Sequence, residues 1–309
     1  HKPDRRQRQM CIRDSLPALL KIQSVEHIEV VFNSKKNIKT KDNKIIYTKS
    51  NDTPNHKSYS LVIYATPPRV HLDNLDNYFG LSDNHLIEKP ISSNFKFLED
   101  ERFKTLYKSK NVFESLMYLH HPAIEVLKKI ISENSCLEFK TSFKVPHTDC
   151  GHYRYKKDEG GGSLLDQGIY PISLILFLFK DKFQILEKSI FHDKNLDIDL
   201  SGQIIGKTNT ISKVSIEWAL GQEYENYAEI VCKDKVIKFP FIFSKNENDI
   251  YKYLEIQNEI TIEKELGLFD QFVKLYSDIL NNKIKNFEYS KYEDLIYRYK
   301  FINNLHKGQ

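Results

Sequence analysis

Between Tyr59 and Ala65 the chain reads YSLVIYA, an unbroken apolar run rich in β-branched and aromatic residues. A strand with one wet face alternates apolar and polar residues. A continuous run fits a strand covered on both faces, as in a parallel sheet with helices on each side. The neighbouring segments support this. Short apolar runs at His27–Phe32, Lys44–Thr48, Asn84–Glu88 and Val112–Leu119 read as further strands. Helical periodicity falls at Arg69–Phe79, at Phe95–Tyr107 behind caps at Ser92 or Ser93, and at Ala123–Ile131. A short capped helix over Ser15–Ile22, with Pro17 in its first turn, precedes them. Strands alternating with helices predict a doubly wound parallel sheet.

Further along, the pattern changes. Leu137–Val145 alternates as a strand, and a glycine-started helix covers Ser163–Phe179. From Phe183 to about Lys264 the chain is mostly alternating, as in VSIEWAL and YAEIVC, which predicts a large, mostly antiparallel open sheet. Helices at Leu266–Leu280 and Tyr292–Leu305 close the chain. The boundary between the two patterns falls near Tyr118–Pro122, giving units of 16–120 and 121–309. Residues 1–15, HKPDRRQRQMCIRDS, hold four of the chain's eight arginines and lack periodicity. They read as a non-native segment, the alternative being a basic arm for an acidic partner.

Composition narrows the function classes. The formal net charge is +4 and no run of five like charges occurs, so a nucleic-acid face is not indicated. The longest apolar stretch, Ile169–Phe179, is shorter than the ~20 residues a membrane helix needs, and no secretory signal pattern stands at the start. Four cysteines without CxxC spacing read as free thiols of a reducing cytoplasm. No metal-type His/Cys spacing, GxSxG, P-loop or GxGxxG is present, and no metal is expected.

Three segments could carry chemistry. Ala65-Thr-Pro-Pro-Arg-Val-His71 leaves a buried strand and enters a helix, where open parallel sheets bind ligands. It also reads as a plain turn with His71 in local packing. Leu86-Ile-Glu-Lys-Pro90 places Lys89 just past the next strand on the same edge, with Pro90 stiffening its backbone. An ammonium there can polarise a carbonyl. The third is GGGSLLDQGIYP, residues 160–171. Asp166 and Tyr170 stand four apart and share a helix face. A phenol is a weak acid unless a cation supports its phenolate. Ser163 and Asp166 also fit a capping box, and Tyr170 an amphipathic core.

In this order, ATPPxxH, EKP and GGGSLLDQGIYP resemble the Gfo/Idh/MocA oxidoreductases, and the closing FDQFVKLYSDIL and YEDLIYRYKFINNL segments are similar to that family's last helices. The resemblance covers about Leu16 to Gly308. It implies an N-terminal Rossmann domain and a C-terminal α+β domain. Hydride would pass between a nicotinamide and a sugar or nucleotide-sugar carbonyl or secondary alcohol. Lys89, Tyr170 and Asp166 are then catalytic. Asn33, Ser34, Lys35, Ala65, Thr66, Pro67, Pro68, His71, Glu88 and Lys89 face the cofactor. His121, Tyr153, Arg154 and Tyr155 face the substrate. A Tyr at 170, with Tyr153-Arg154-Tyr155 before it, resembles the nucleotide-sugar 3-ketoreductases. The segment after the second family strand, Phe32-Asn-Ser-Lys-Lys36, offers no acid for a ribose 2′-hydroxyl and favours NADP over NAD. The first strand and its glycine loop are not in the chain, and Ser15–Ile22 looks like the later part of the helix that follows them. A homodimer or homotetramer joined through the open sheet is implied. Two other readings stay open: a non-catalytic ligand sensor of the same fold, and a reductase of an imine or tetrapyrrole.

Overall fold

The computed structural model describes residues 10–32, 42–50, 58–148, 151–244, 248–283 and 291–307. The first part alternates strand and helix. It runs α1 (Met10–Leu20), β1 (Ile28–Phe32), β2 (Ile45–Lys49), β3 (Val62–Tyr64), α2 (His71–Tyr78), β4 (Asn84–Glu88), α3 (Glu101–Ser109), β5 (Asn111–Ser115) and α4 (Pro122–Glu133). β1 pairs with β2, and β3, β4 and β5 pair in that order, all parallel. The Tyr59 hydroxyl bonds Glu29 on β1 and thereby ties the two parallel sheets together. Leu86 and Ile87 on β4 are wholly buried, as expected of a strand covered on both faces.

The second part is built on an eight-stranded sheet. Its elements are β6 (Cys136–Val145), α5 (Ile169–Phe179), β7 (Gln184–Asp193), β8 (Ile198–Lys207), β9 (Lys213–Leu220), β10 (Glu225–Cys232), β11 (Val236–Pro240), β12 (Tyr251–Gln257), β13 (Ile260–Gly267), α6 (Gln271–Leu280) and α7 (Tyr292–Lys307). The order is β13-β12-β11-β10-β6-β9-β8-β7. Only the central β6–β9 pair is parallel. α5 is apolar nearly all round and packs on β6 and β9 as a core helix. Lys157–Phe179 is long and apolar enough to cross a membrane by composition, but 94% of its window is buried inside the fold. Gly168 lets α5 approach the sheet, since a Cβ there would stand 3.0 Å from Trp218.

Several boundaries differ from the sequence expectation for identifiable reasons. α3 starts at Glu101 because the Asp100 carboxylate accepts the Arg102 N–H, so Ser92 and Ser93 are not its caps. α6 starts at Gln271 because Asp270 caps Phe272 and Val273, and Leu266 still belongs to β13. The strand expected to reach Leu119 stops at Ser115, before a 3-10 turn over Met117–His120. Of segment 1–15, expected to make few contacts with the body, the described Ser15 does meet it. Ser15 is buried and its hydroxyl bonds that of Tyr276 at 2.7 Å. The outer face of the central strands is charged rather than apolar. Lys144 bridges Glu217 and Glu225, and Lys140 bridges Glu138 and Glu229. Exposed apolar side chains stand mostly on the edge strands, as Leu186, Phe191, Ile260 and Ile262, with Leu137 on β6.

Candidate active site

Because β3, β4 and β5 are parallel, their carboxyl ends share one edge. Ligands of open α/β sheets bind beyond that edge. Thr66 and Pro67 leave β3 there and are exposed, Ala65 is half-buried, and Pro68 turns inward. Thr66 does not cap α2. Its hydroxyl accepts from Asn74 at 3.0 Å, and the N-cap position falls at Val70. Glu88 ends β4 and is buried. Lys89 follows it, and the Lys89–Pro90 peptide is cis.

Lys89 is the centre of a buried charge cluster. Its ammonium donates to Asp166 Oδ1 and to the Asp166 backbone carbonyl, each at 2.8 Å. It also lies 4.7 Å from the centroid of the Tyr170 ring. Asp166 Oδ2 is paired with Arg154 Nε and accepts from Gln167 Nε2 at 2.6 Å. Burial alone would lower the Lys89 pKa, but attraction by Asp166, Tyr170 and Tyr153 overcomes it and raises the value. Burial would raise the Asp166 pKa, but Arg154 and Lys89 hold the carboxyl well below the usual range. Two cations thus surround one carboxylate, leaving net positive charge. Such a site favours an oxygen on which negative charge develops.

The local fold explains how Asp166 gets there. Leu164–Gly168 is a π-helical turn leading into α5. Pro171 has no N–H, so neither the i+4 partner of Gln167 nor the i+5 partner of Asp166 exists. The Asp166 carbonyl accepts from Lys89. The expected capping box between Ser163 and Asp166 does not form. Ser163 Oγ and the Leu164 N–H both donate to Asp199 on β8, each at 2.6 Å. Asp199 therefore starts the helix and leaves Asp166 to the cluster. Gly162, at φ +114, keeps the chain clear of Asp199, whose Oδ1 would stand 2.5 Å from a Cβ there.

Tyr170 meets Lys89 through its ring, and its aromatic neighbours are Tyr118, Phe143 and Phe243. The Tyr118 hydroxyl donates to the Tyr170 carbonyl at 3.0 Å. His71 is buried, with Nε2 2.7 Å from the Thr66 carbonyl and Nδ1 3.0 Å from that of Pro90. It joins two loops of the edge. Arg154, expected to face substrate, is committed to Asp166, and its side chain also bonds Tyr153. Tyr155 bonds His147 at 2.9 Å and packs beside Ile198 and Leu220. His121 caps α4 by accepting the Ala123 N–H, with its ring against Tyr251 and Phe269. Asn33, Ser34 and Lys35 lie outside the described residues. Sequence reasoning missed Asp199, Gln167 and Tyr118. For Asp199 no local signal exists, since it reaches the site from a strand 35 residues past Leu164. Pro171 was the readable clue to the odd helix start.

The GFO/IDH/MocA C-terminal domain matches residues 135–238. The chain is similar to dTDP-3,4-didehydro-2,6-dideoxy-alpha-D-glucose 3-reductase of Actinomadura kijaniata, with 28% identity over 174 residues, 54% of this chain and 52% of the relative. The Streptomyces violaceoruber reductase of the same name is 26% identical over 169 residues, 53% of this chain and 48% of the relative. The chain thus matches about half the length of these curated relatives. Among solved structures, KijD10, a 3-ketoreductase from Actinomadura kijaniata in complex with NADP and TDP-benzene, superposes with a TM-score of 0.80. Identity is 18%, over 96% of this chain and 94% of that one. Aldose-aldose oxidoreductase from Caulobacter crescentus, complexed with glycerol, gives 0.77 at 12% identity, over 97% and 94%. The match to the GFO/IDH/MocA family thus rests on residues 135–238, and the superpositions show a shared fold.

Proposed function

We propose that this chain serves NADP-dependent reduction of a ketone on a nucleotide-linked sugar, or the reverse oxidation of the alcohol. One observation carries the reading: a part-buried lysine ammonium at the carboxyl edge of a parallel sheet, fixed by Asp166 and lying against Tyr170. A nicotinamide bound there would supply or accept the hydride. The residues present suit that half of a cofactor, because the exposed Thr66-Pro67 turn and Lys89 share the edge. Asn33, Ser34 and Lys35 are the expected contacts to a 2′-phosphate, and NADP is the cofactor bound by the similar KijD10. The substrate class follows the dTDP-ketosugar reductases to which the chain is similar.

Each residue then has a task. The Lys89 ammonium has three donors, and the two bonds described for it both end on Asp166. The third donor is assigned to the sugar oxygen, where it stabilises developing negative charge. Tyr170 gives or takes the proton at its phenolic oxygen, helped by the cation against its ring. Asp166 orients Lys89, and Arg154 holds Asp166. Tyr153, which Arg154 also bonds, is assigned to contact the sugar. Residues 16–120 would carry the cofactor and 121–309 the substrate, in a cytoplasmic homodimer or homotetramer.

The test mixes the purified chain with NADPH and a dTDP-linked 3-ketosugar and follows loss of NADPH absorbance. Turnover that Lys89→Met abolishes supports the reading. If NADPH binds, by fluorescence titration, yet no dTDP-ketosugar is reduced, the reading fails.

A further inference from the structure

The loop that carries Lys89 is held by a residue from the far end of the chain. Just beyond Lys89, Ile91 is wholly buried, and its backbone N–H donates to the Tyr299 hydroxyl at 2.8 Å. Tyr299 stands on α7. Its own hydroxyl hydrogen goes to Glu114 Oε1 on β5, and Glu114 Oε2 is paired with Arg298 Nη2. Glu114, Arg298 and Tyr299 are all buried, and the Phe97 ring meets the Tyr299 ring edge-on at 5.0 Å. Burial and the Glu114 carboxylate raise the Tyr299 pKa well above the ordinary value, so its hydroxyl remains a donor.

The same peptide group is met from its other side. The Pro90 carbonyl belongs to the peptide unit whose N–H is that of Ile91, and His71 Nδ1 stands 3.0 Å from that oxygen. A peptide is planar, so holding its N–H fixes the plane into which Pro90 leads. Only Pro90 separates that plane from Lys89. An N–H stripped of its partner in a buried setting must find another or turn. Turning moves the start of the Lys89 side chain relative to Asp166.

We infer that Tyr299 is a positioning residue for Lys89, latched through the Ile91 N–H and set by Glu114 and Arg298, so that α7 forms part of the active-site machinery. The inference rests on the reading of Lys89 as the group that meets the sugar oxygen. It goes beyond that reading in making the last helix a condition for the lysine's placement.

Tyr299→Phe keeps the ring and deletes the latch. It is expected to lower kcat by about tenfold to a hundredfold, the scale of a small misplacement of a reacting group, while KM for the ketosugar changes much less. Reductive methylation followed by peptide mass spectrometry gives a second readout that needs no turnover. Lys89 is expected to label faster in Tyr299→Phe than in the unaltered chain, with Lys144, paired on the outer sheet face, unchanged. An unchanged kcat with unchanged Lys89 labelling overturns the latch. So does equal acceleration at Lys89 and Lys144, which marks general loosening. Should the variant fail to fold, amide exchange in the unaltered chain decides. The Ile91 amide is expected to exchange no faster than the amides of α7, and fast exchange there while α7 stays protected overturns the proposal. If the unaltered chain binds NADPH but reduces no ketosugar, the functional reading falls, while labelling and exchange still decide the latch.

Discussion

The Lys89 ammonium is bonded twice by Asp166, once through the carboxylate and once through the backbone carbonyl, each at 2.8 Å. A residue that offers both its side chain and its main chain to one donor fixes direction as well as charge. The carboxylate must also balance Arg154. Breaking this arrangement therefore has consequences for folding as well as for chemistry.

Asp166→Asn is expected to cost about 3–5 kcal/mol of stability at neutral pH, because two buried cations lose their counter-charge. The acid side is informative as well. The Asp166 carboxyl is depressed below its ordinary value of 3.8 in the fold. It therefore contributes stability above that value and loses it as pH falls towards the folded pKa. The unaltered chain should lose Tm steeply on acidification below about pH 4, and the Asn variant less steeply. Thermal melts across pH check this, and parallel acid limbs for the two proteins would falsify the assigned role of the carboxylate.

Pro171→Ala restores an N–H at the position that could serve the Gln167 or Asp166 carbonyl. Alanine is also the better helix former. The expected outcome is a chain at least as stable but slower, by roughly tenfold if the new N–H competes for a charged hydrogen bond to Lys89. Melting temperature and kcat moving in opposite directions is the signature. A faster enzyme, or one unchanged in both, contradicts this account of the π-turn.

Gly162→Ala is expected to destabilise the protein by about 1–3 kcal/mol, as for a strained positive-φ residue, and to lower turnover with it. The added Cβ would stand 2.5 Å from Asp199 Oδ1, the carboxylate that starts the helix. Denaturant titration measures the first effect. A wild-type midpoint would show that the Asp199 contact does not depend on the glycine.

Much of the fold was legible because its signals are local. β4 runs from Asn84 to Glu88 as read, since a polar turn precedes it and Pro90 stops it. α5 declared itself by an apolar run that covers its whole circumference. Misplaced boundaries had rival caps: Asp100 and Asp270 won over Ser92, Ser93 and the strand-forming Leu266. In the candidate site, Lys89, Asp166 and Tyr170 stood out by motif, and the structure brings them together. Arg154 was noticed as a substrate contact, but nothing in its sequence says that Asp166 lies within reach. Ile91 and Tyr299 are separated by 208 positions, and no periodicity links them. Such contacts are decided by how helices dock on a sheet, which local pattern does not encode.

Tyr170→Phe separates chemistry from packing. The ring is buried among Tyr118, Phe143 and Phe243, and a phenylalanine ring can occupy the same place. The cation–π contact with Lys89 uses the ring face, so it too survives the substitution. What disappears is the phenolic proton. If Tyr170 supplies that proton to the sugar oxygen, turnover is expected to fall by ~10²–10⁴-fold, the usual scale for a lost acid–base group, with KM for the ketosugar nearly constant. If the residue only shapes the pocket, kcat should stay close to that of the unaltered enzyme. The pH profile offers a second check. The limb of kcat/KM that reports the phenol should vanish in the Phe variant, whereas a profile of unchanged shape would mean that another group carries the proton.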